Sequence, residues 1–172
     1  MTDSETLQQR CDLLADTPFF EQFEREELTS LLECCDSKVL ASREALWAVG
    51  TPGESAYILL EGRLEKTTRL PPDYRRVDQI DDTGAVLGLS YLVKEWEHQS
   101  ATTALERTEL LQLKRSTFRQ MFDDGDIAAY RLVDKIAEKL VMEMRDANDR
   151  LHEVFGNPAE TLRMLRRRVR ST

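Results

Sequence analysis

The sequence predicts an α+β protein: an eight-stranded β jelly-roll barrel flanked by N-terminal helices and a long C-terminal helix. Three observations carry this. Roughly eight short strand-like runs fill residues 37–113, with turn residues every eight to twelve positions. Helical periodicity precedes them over residues 3–35. From Asp126 to Phe155, apolar residues recur at steps of three and four without a break.

The first helix follows from Thr2 and Glu5, which have capping-box spacing, and from Leu7, Cys11 and Leu14 at helical intervals. Pro18 in DTPFF ends it. EREELTSLLECC predicts a second helix, with Leu28, Leu31 and Leu32 on one face and acids at its start, where the helix dipole favours them. The period then changes to two. GTPGESAYILLEGRLEK predicts a half-buried strand with Ala56, Ile58, Leu60 and Leu64 inward and Glu61, Arg63 and Glu65 outward. Gly62 falls on the inward face and marks a bulge or a close approach. RLPPDY is a hairpin loop, since two prolines do not fit a central ladder. RRVDQI, AVLGL, SATTAL and ELLQL complete the strands. STFRQMF predicts a hinge helix over 116–122 with Ser116 as cap, and DDGD breaks it. That acidic turn lacks the alternating Asp spacing of a calcium loop.

In the long helix, Val133, Ile136, Leu140, Met144, Ala147, Leu151 and Val154 form one stripe. At 1.5 Å per residue the helix runs roughly 45 Å, longer than a small barrel needs for cover. Such a stripe predicts a homodimer seam over residues 126–155; the alternative is a helix packed only on its own barrel. Gly156 ends it. Asn157-Pro158-Ala159-Glu160 then has the form of a fresh helix start. The predicted organisation is a domain over 1–155 and a basic tail over 156–172.

At 172 residues the chain can bury a core without disulfides or metal. It is 41% hydrophobic and 33% charged, a soluble globular balance. The net charge of −8 argues against general nucleic-acid binding, which needs clustered Lys and Arg. The charge is uneven. Residues 157–172 hold Arg163, Arg166, Arg167, Arg168, Arg170 and one Glu, which is +4 and leaves −12 for the rest. That tail fits an acidic partner, an anionic membrane surface or nucleic acid, or it is a solvated end. No run of 18 apolar residues and no signal-type N-terminus occur, so a cytoplasmic location is expected. Cys11, Cys34 and Cys35 form no disulfide framework, and the helical setting of the adjacent pair favours buried thiols over a redox site. His98 and His152 lie in no zinc spacing with cysteine, and Gly-x-Ser-x-Gly, Gly-rich phosphate-loop and His-Glu-x-x-His motifs are absent. No enzyme activity, metal or cofactor is therefore expected. Glu95 and Glu97 read as surface acids.

The order helices, barrel, short helix and long helix resembles the cyclic nucleotide-binding domain, the sensor module of catabolite activator-type regulators, cyclic-nucleotide kinases and gated channels. LLADTPFFEQFEREELTSLL looks like its opening segment and LWAVGTPGESAYILLEGRLEK like its central hairpin. GAVLGLSYL followed by QSATTA is similar to its phosphate-binding cassette, Gly-x-x-x-Gly-Glu-x-x-Leu and then Arg-Ser/Ala-Ala-Thr. ELLQLKRSTFRQMF matches its last strand and hinge helix. The resemblance spans residues 15–152. It implies that Gly88, Leu89, Ser90, Gln99, Ser100 and Ala101 frame the ligand site, with Gly84 and Gly88 on the glycine positions. It also implies two departures. Leu89 stands where a glutamate accepts from the ribose, and Gln99 where an arginine neutralises the phosphate. Lys94 is a candidate stand-in, although a flexible point charge rather than a fork. The long helix also offers no Ser or Thr between Asp126 and Gly156 to a base. The 16 residues after Gly156 are too few for a helix-turn-helix domain. The expectation is a regulatory module with a degenerate ligand site. Such a module acts through a protein partner and as a homodimer, and takes cAMP or cGMP poorly. Alternatives are a sensor of another ligand, such as a cyclic dinucleotide, and a nucleic-acid reader using the tail.

Overall fold

Two helices precede the strands in the computed structural model, which describes residues 3–70 and 74–156. Helix α1 (Asp3–Ala15) buries Cys11 and Leu14, and helix α2 (Arg25–Glu33) buries Leu28, Leu31 and Leu32, the faces that the periodicity predicts. Between them Phe20 and Phe23 meet edge-on at 5.4 Å. The Glu24 N–H donates to the Glu27 carboxylate at 3.0 Å, closing the start of α2. Burial pushes the Cys35 thiol up to about 12, which keeps it protonated and unreactive.

The strands are β1 (Asp36–Leu40), β2 (Ala45–Trp47), β3 (Pro52–Gly53), β4 (Ser55–Glu61), β5 (Leu64–Leu70), β6 (Tyr74–Ile80), β7 (Val86–Leu87), β8 (Trp96–Glu97), β9 (Ser100–Ala104) and β10 (Thr108–Lys114). Eight of them form two antiparallel four-stranded sheets, in the orders β1-β10-β4-β7 and β2-β9-β5-β6, while β3 and β8 make a two-residue ribbon. The core joins the sheets. Leu40, Leu59, Leu87 and Leu110 from the first meet Leu64 and Ala104 from the second, with Trp47, Tyr57 and Ile80 packed against them.

The central strand differs from its prediction. β4 is buried at Ser55, Ala56, Ile58, Leu59 and Leu60, not on alternate residues alone. Tyr57 and Leu59 face the barrel core, so Ala56, Ile58 and Leu60 lie on the other face. A strand covered on both sides reads as a continuous apolar run. Leu64 belongs to the next strand, beyond a turn at Gly62. There φ is +102°, and a Cβ would lie 2.6 Å from Thr108 Oγ1 and 2.7 Å from the Arg107 carbonyl. The close approach expected at this glycine is real, and its cause is the β4–β5 turn pressing on β10.

Helix α3 (Arg115–Asp123) starts one residue before its predicted cap. Lys114 takes that place, and the Arg115 N–H donates to the Glu54 carbonyl at 2.8 Å, so Ser116 lies inside the first turn. The acidic turn that follows is a helix start. Asp126 accepts the Ala128 N–H at 2.8 Å and the Ser30 hydroxyl at 2.5 Å, which ties the beginning of α4 (Ile127–Phe155) to α2. Arg131 adds two bonds to Glu27. Burial pushes that carboxyl upward, but the Arg131 guanidinium and the Glu24 N–H more than offset it and hold Glu27 below its ordinary value. The described residues divide into two compact units, one up to Val133 and one from Asp134.

Candidate functional site

Gly88 sets the cassette turn. Its φ of +72° is left-handed, and a Cβ there would lie 2.8 Å from the Ser55 carbonyl, so both conformation and space call for glycine. The chain then makes a short 3₁₀ turn over Leu89–Leu92, with the Tyr91 N–H donating to the Gly88 carbonyl at 2.9 Å. Leu89 is 2% exposed and packs as a core residue, while Ser90 is exposed. Gln99 is exposed and donates from Nε2 to the neighbouring Glu97 carbonyl at 3.2 Å. Ser100 is buried and Ala101 half-buried at the start of β9. The two halves of the cassette meet through Tyr91 and His98, whose rings stand edge-on at 4.4 Å.

His98 is sequestered inside this joint. It is buried, stacks on Trp47 at 4.5 Å with a 7° interplanar angle, and keeps Nδ1 without a partner. Desolvation lowers its pKa below the ordinary 6.5, so the imidazole is neutral at pH 7. Trp47 Nε1 and Thr102 Oγ1 are also buried without partners. Such orphans are uncommon in folded proteins and each calls for an explanation. A cavity of about 330 Å³ opens beside Trp47 and His98, lined also by Glu54, Ser55, Tyr57 and Gln112 among others.

The register of the second sheet arranges its inner face in rows. Ala104, Leu64 and Ile80 pair directly and form an apolar row. Two residues further along, Trp47 pairs Thr102, Thr102 pairs Lys66, and Lys66 pairs Asp78. Ser100, Thr68 and Arg76 make the next row. Directly paired residues share a face, and successive residues alternate. The opposite face confirms the assignment, because Arg75 reaches Thr67 at 3.3 Å and Glu65 at 3.9 Å there.

Arg115 holds the cassette loop down. Its guanidinium donates to the Gly53 carbonyl at 3.2 Å, to the Tyr91 carbonyl at 3.3 Å, and to Glu95 at 3.1 Å. Glu95 is therefore an exposed acid that is paired with Arg115. Lys94, the candidate stand-in cation, lies over the Trp96 ring at 4.6 Å. Sequence reasoning did not single out Trp47 and His98 beside the cavity, Thr102 and Lys66 on the inner face, or Arg115 under the cassette loop. Strand alternation carried to β5 and β9 would have placed Lys66 and Thr102 inward; nothing local marks Arg115.

On α4, Ile136 is buried, whereas Leu140, Met144, Ala147 and Leu151 are exposed and Val133 is 38% exposed. Arg163, Arg166, Arg167, Arg168 and Arg170 lie outside the described residues. No described helix is long and apolar enough to cross a membrane.

Comparisons with known proteins agree with this architecture. No curated protein sequence matches the chain. Solved structures do. The N-terminal domain of a transcriptional regulator from Streptomyces coelicolor A3(2) superposes with a TM-score of 0.67 at 22% identity, covering 81% of this chain and 95% of that one. A cyclic nucleotide-binding domain from Methylobacillus flagellatus KT gives 0.70 at 16% identity, covering 85% and 82%. The regulatory subunit of a cAMP-independent protein kinase A from Trypanosoma cruzi, bound to guanosine, gives 0.62 at 19% identity, covering 77% of this chain and 46% of that one. The family model described as the cyclic nucleotide-binding domain matches residues 37–124, just over half of the chain. With its barrel, cassette turn and flanking helices, the chain belongs to the cyclic nucleotide-binding domain family.

Proposed function

We propose that this chain is a non-enzymatic regulatory module that keeps the sensor fold, does not take cAMP or cGMP by the family's cassette contacts, and acts on a protein partner as a homodimer. The observation that carries the reading is the state of the two cassette positions. Leu89 is absorbed into the core, and Gln99 turns its amide to its own neighbour's carbonyl. Neither offers a charge to a ligand. Hydrogen bonds to charged groups contribute roughly 1.5–3 kcal/mol each. Losing two weakens binding on the order of 10²- to 10⁴-fold. Calorimetry with cAMP and cGMP tests this. The expected result is no micromolar binding by the native chain, with a gain of roughly tenfold or more in Gln99→Arg. Micromolar binding by the native chain would overturn the reading.

The dimer seam is supported by the exposed apolar residues of α4, with Leu140 at 49% and Met144 at 69%. Sustained apolar spacing of this kind suits helix pairing. Light scattering is expected to give twice the 19.9 kDa chain mass, and the double variant Leu140→Asp, Met144→Asp a single mass. A native monomer removes the claim.

A second reading, in which the barrel senses a different ligand such as a cyclic dinucleotide, is favoured by the three buried orphan groups Trp47 Nε1, His98 Nδ1 and Thr102 Oγ1. Its plausibility gains from the Trypanosoma cruzi neighbour, which holds guanosine and is described as cAMP-independent.

A further inference from the structure

We propose that the cavity between β2, β4 and β10 is a second ligand site, which takes a methylated ammonium cation against the rings of Trp47, Tyr57 and His98 with the Glu54 carboxylate as counter-charge. The site stands apart from the cassette and holds whether or not the barrel takes a nucleotide.

The cavity measures about 330 Å³, at the lower end of the roughly 300–1,000 Å³ range of small-molecule sites. None of Gly88, Leu89, Ser90, Gln99, Ser100 and Ala101 lines it, and the loop between the two cassette halves contributes only His98. Its walls carry rings. Trp47 stacks on His98 at 4.5 Å and tilts against Tyr57 at 5.7 Å, and Trp47 and Tyr57 are only half-buried. Ring faces attract a cation through their quadrupole, and groups of such rings recognise quaternary ammonium ligands.

Charge and hydrogen bonding set the class of ligand. Desolvation keeps His98 neutral at pH 7, so Glu54 is the one charged side chain lining the cavity. An adjoining cavity of about 370 Å³ shares Glu54, Ser55 and Gln112 and is lined by Lys114, Arg115 and Arg119. Lys114 pairs with Asp36 at 2.7 Å and Arg115 with Glu95 at 3.1 Å, while Arg119 is exposed to water. Glu54 makes an ion pair with none of them among the described residues. The net charge of −8 further favours the approach of a cation. Free acceptors are few. Gln112 Nε2 donates to Ser55 Oγ at 2.8 Å, and the Glu54 carbonyl accepts the Arg115 N–H at 2.8 Å. Trp47 Nε1 and His98 Nδ1 lack partners, but both atoms are buried, so their rings meet a ligand by their surfaces. A primary ammonium brings several N–H donors, most of which would go unmet here. A trimethylated one brings none, and ring surfaces with one carboxylate suffice to hold it.

Calorimetry of the full chain with choline, and with its uncharged carbon isostere neohexyl alcohol, tests the site. Choline should bind roughly tenfold or more tightly than the isostere. Glu54→Gln should weaken choline about tenfold, and because Glu54 is exposed the melting temperature of the ligand-free chain should hold. Quenching of Trp47 fluorescence, read in a Trp96→Leu background, should follow the same binding curve. Gln99→Ala and added cAMP should leave the affinity unchanged. Equal binding of choline and its isostere, or binding that survives Glu54→Gln, overturns the proposal. So does loss of binding in Trp96→Leu, which would place the cation on that exposed ring. Displacement of choline by cAMP would place it on the cassette and also overturns the proposal. If choline fails to bind at millimolar concentration, the site is overturned and the reading of the cassette is untouched.

Discussion

In the sheet β1-β10-β4-β7, Leu40, Leu59, Leu87 and Leu110 close the inner face, and β4 and β10 are buried on both sides. In the sheet β2-β9-β5-β6, the inner face begins in the same way, with Ala104, Leu64 and Ile80, and then turns polar within two residues. Two threonines make the contrast sharp. Thr108 on β10 is fully buried and satisfied: its hydroxyl donates to the Glu106 carbonyl at 3.0 Å and accepts the Arg63 N–H at 3.3 Å. Thr102 on β9 is just as buried and has no partner. A hydroxyl that locks a turn serves the fold. One kept dry and unpaired costs stability, on the order of 1–3 kcal/mol. The first sheet is built for stability, and the second gives some of it up at Thr102.

Substitutions should separate the two sheets, first by size and then by sign. Leu110→Ala opens a cavity in the closed core and is expected to cost about 2–5 kcal/mol in urea denaturation. Thr108→Val removes the bonds at the β4–β5 turn and should cost about 1–3 kcal/mol. Thr102→Val is the same chemical change at the same burial, but it removes only an orphan, so the ligand-free fold should be unchanged or gain up to about 1 kcal/mol. Equal losses at the two threonines would mean that Thr102 is satisfied after all, and the contrast between the sheets would fail.

The same contrast explains what was legible in the sequence. The helices and the barrel could be read because burial imposes a period: Leu28, Leu31 and Leu32 mark a helix face, and the strands alternate between turns. The cassette frame could be read because Gly88 has a backbone duty that no other residue fills easily. β4 was misjudged, since alternation assumes one wet face and this strand has none. The polar floor was missed for a different reason. Asp78 looks like a surface charge until pairing across β5 and β6 places it on the inner side, and a pairing is not a local property; Lys66 needed only the alternation carried on from Leu64. Arg115 was missed similarly, because its partners Gly53, Tyr91 and Glu95 are all distant in sequence. Of the site, therefore, the backbone was legible and most of the side chains that line it were not.

His98 offers the smallest effect and the most direct probe of the joint between the two halves of the cassette. Burial against Trp47 and Tyr91 favours its neutral form, so its folded pKa lies below 6.5. The unfolded chain takes up the proton near 6.5, whereas the folded chain waits for a lower pH. Between those values the unfolded state binds more protons, so stability rises with pH. The contribution is fully present above 6.5, is lost as pH falls from there, and stops falling once folded His98 is itself protonated. Glu27 adds its own loss in a lower window, because its folded pKa lies below 4.5 and its stabilisation disappears only as pH falls through that value. Denaturation curves across this range should therefore show a decline starting near 6.5 that is absent in His98→Phe, with the more acidic decline unchanged. If His98→Phe retains the upper decline, another group titrates there, and the imidazole is not held neutral by its stacking partners.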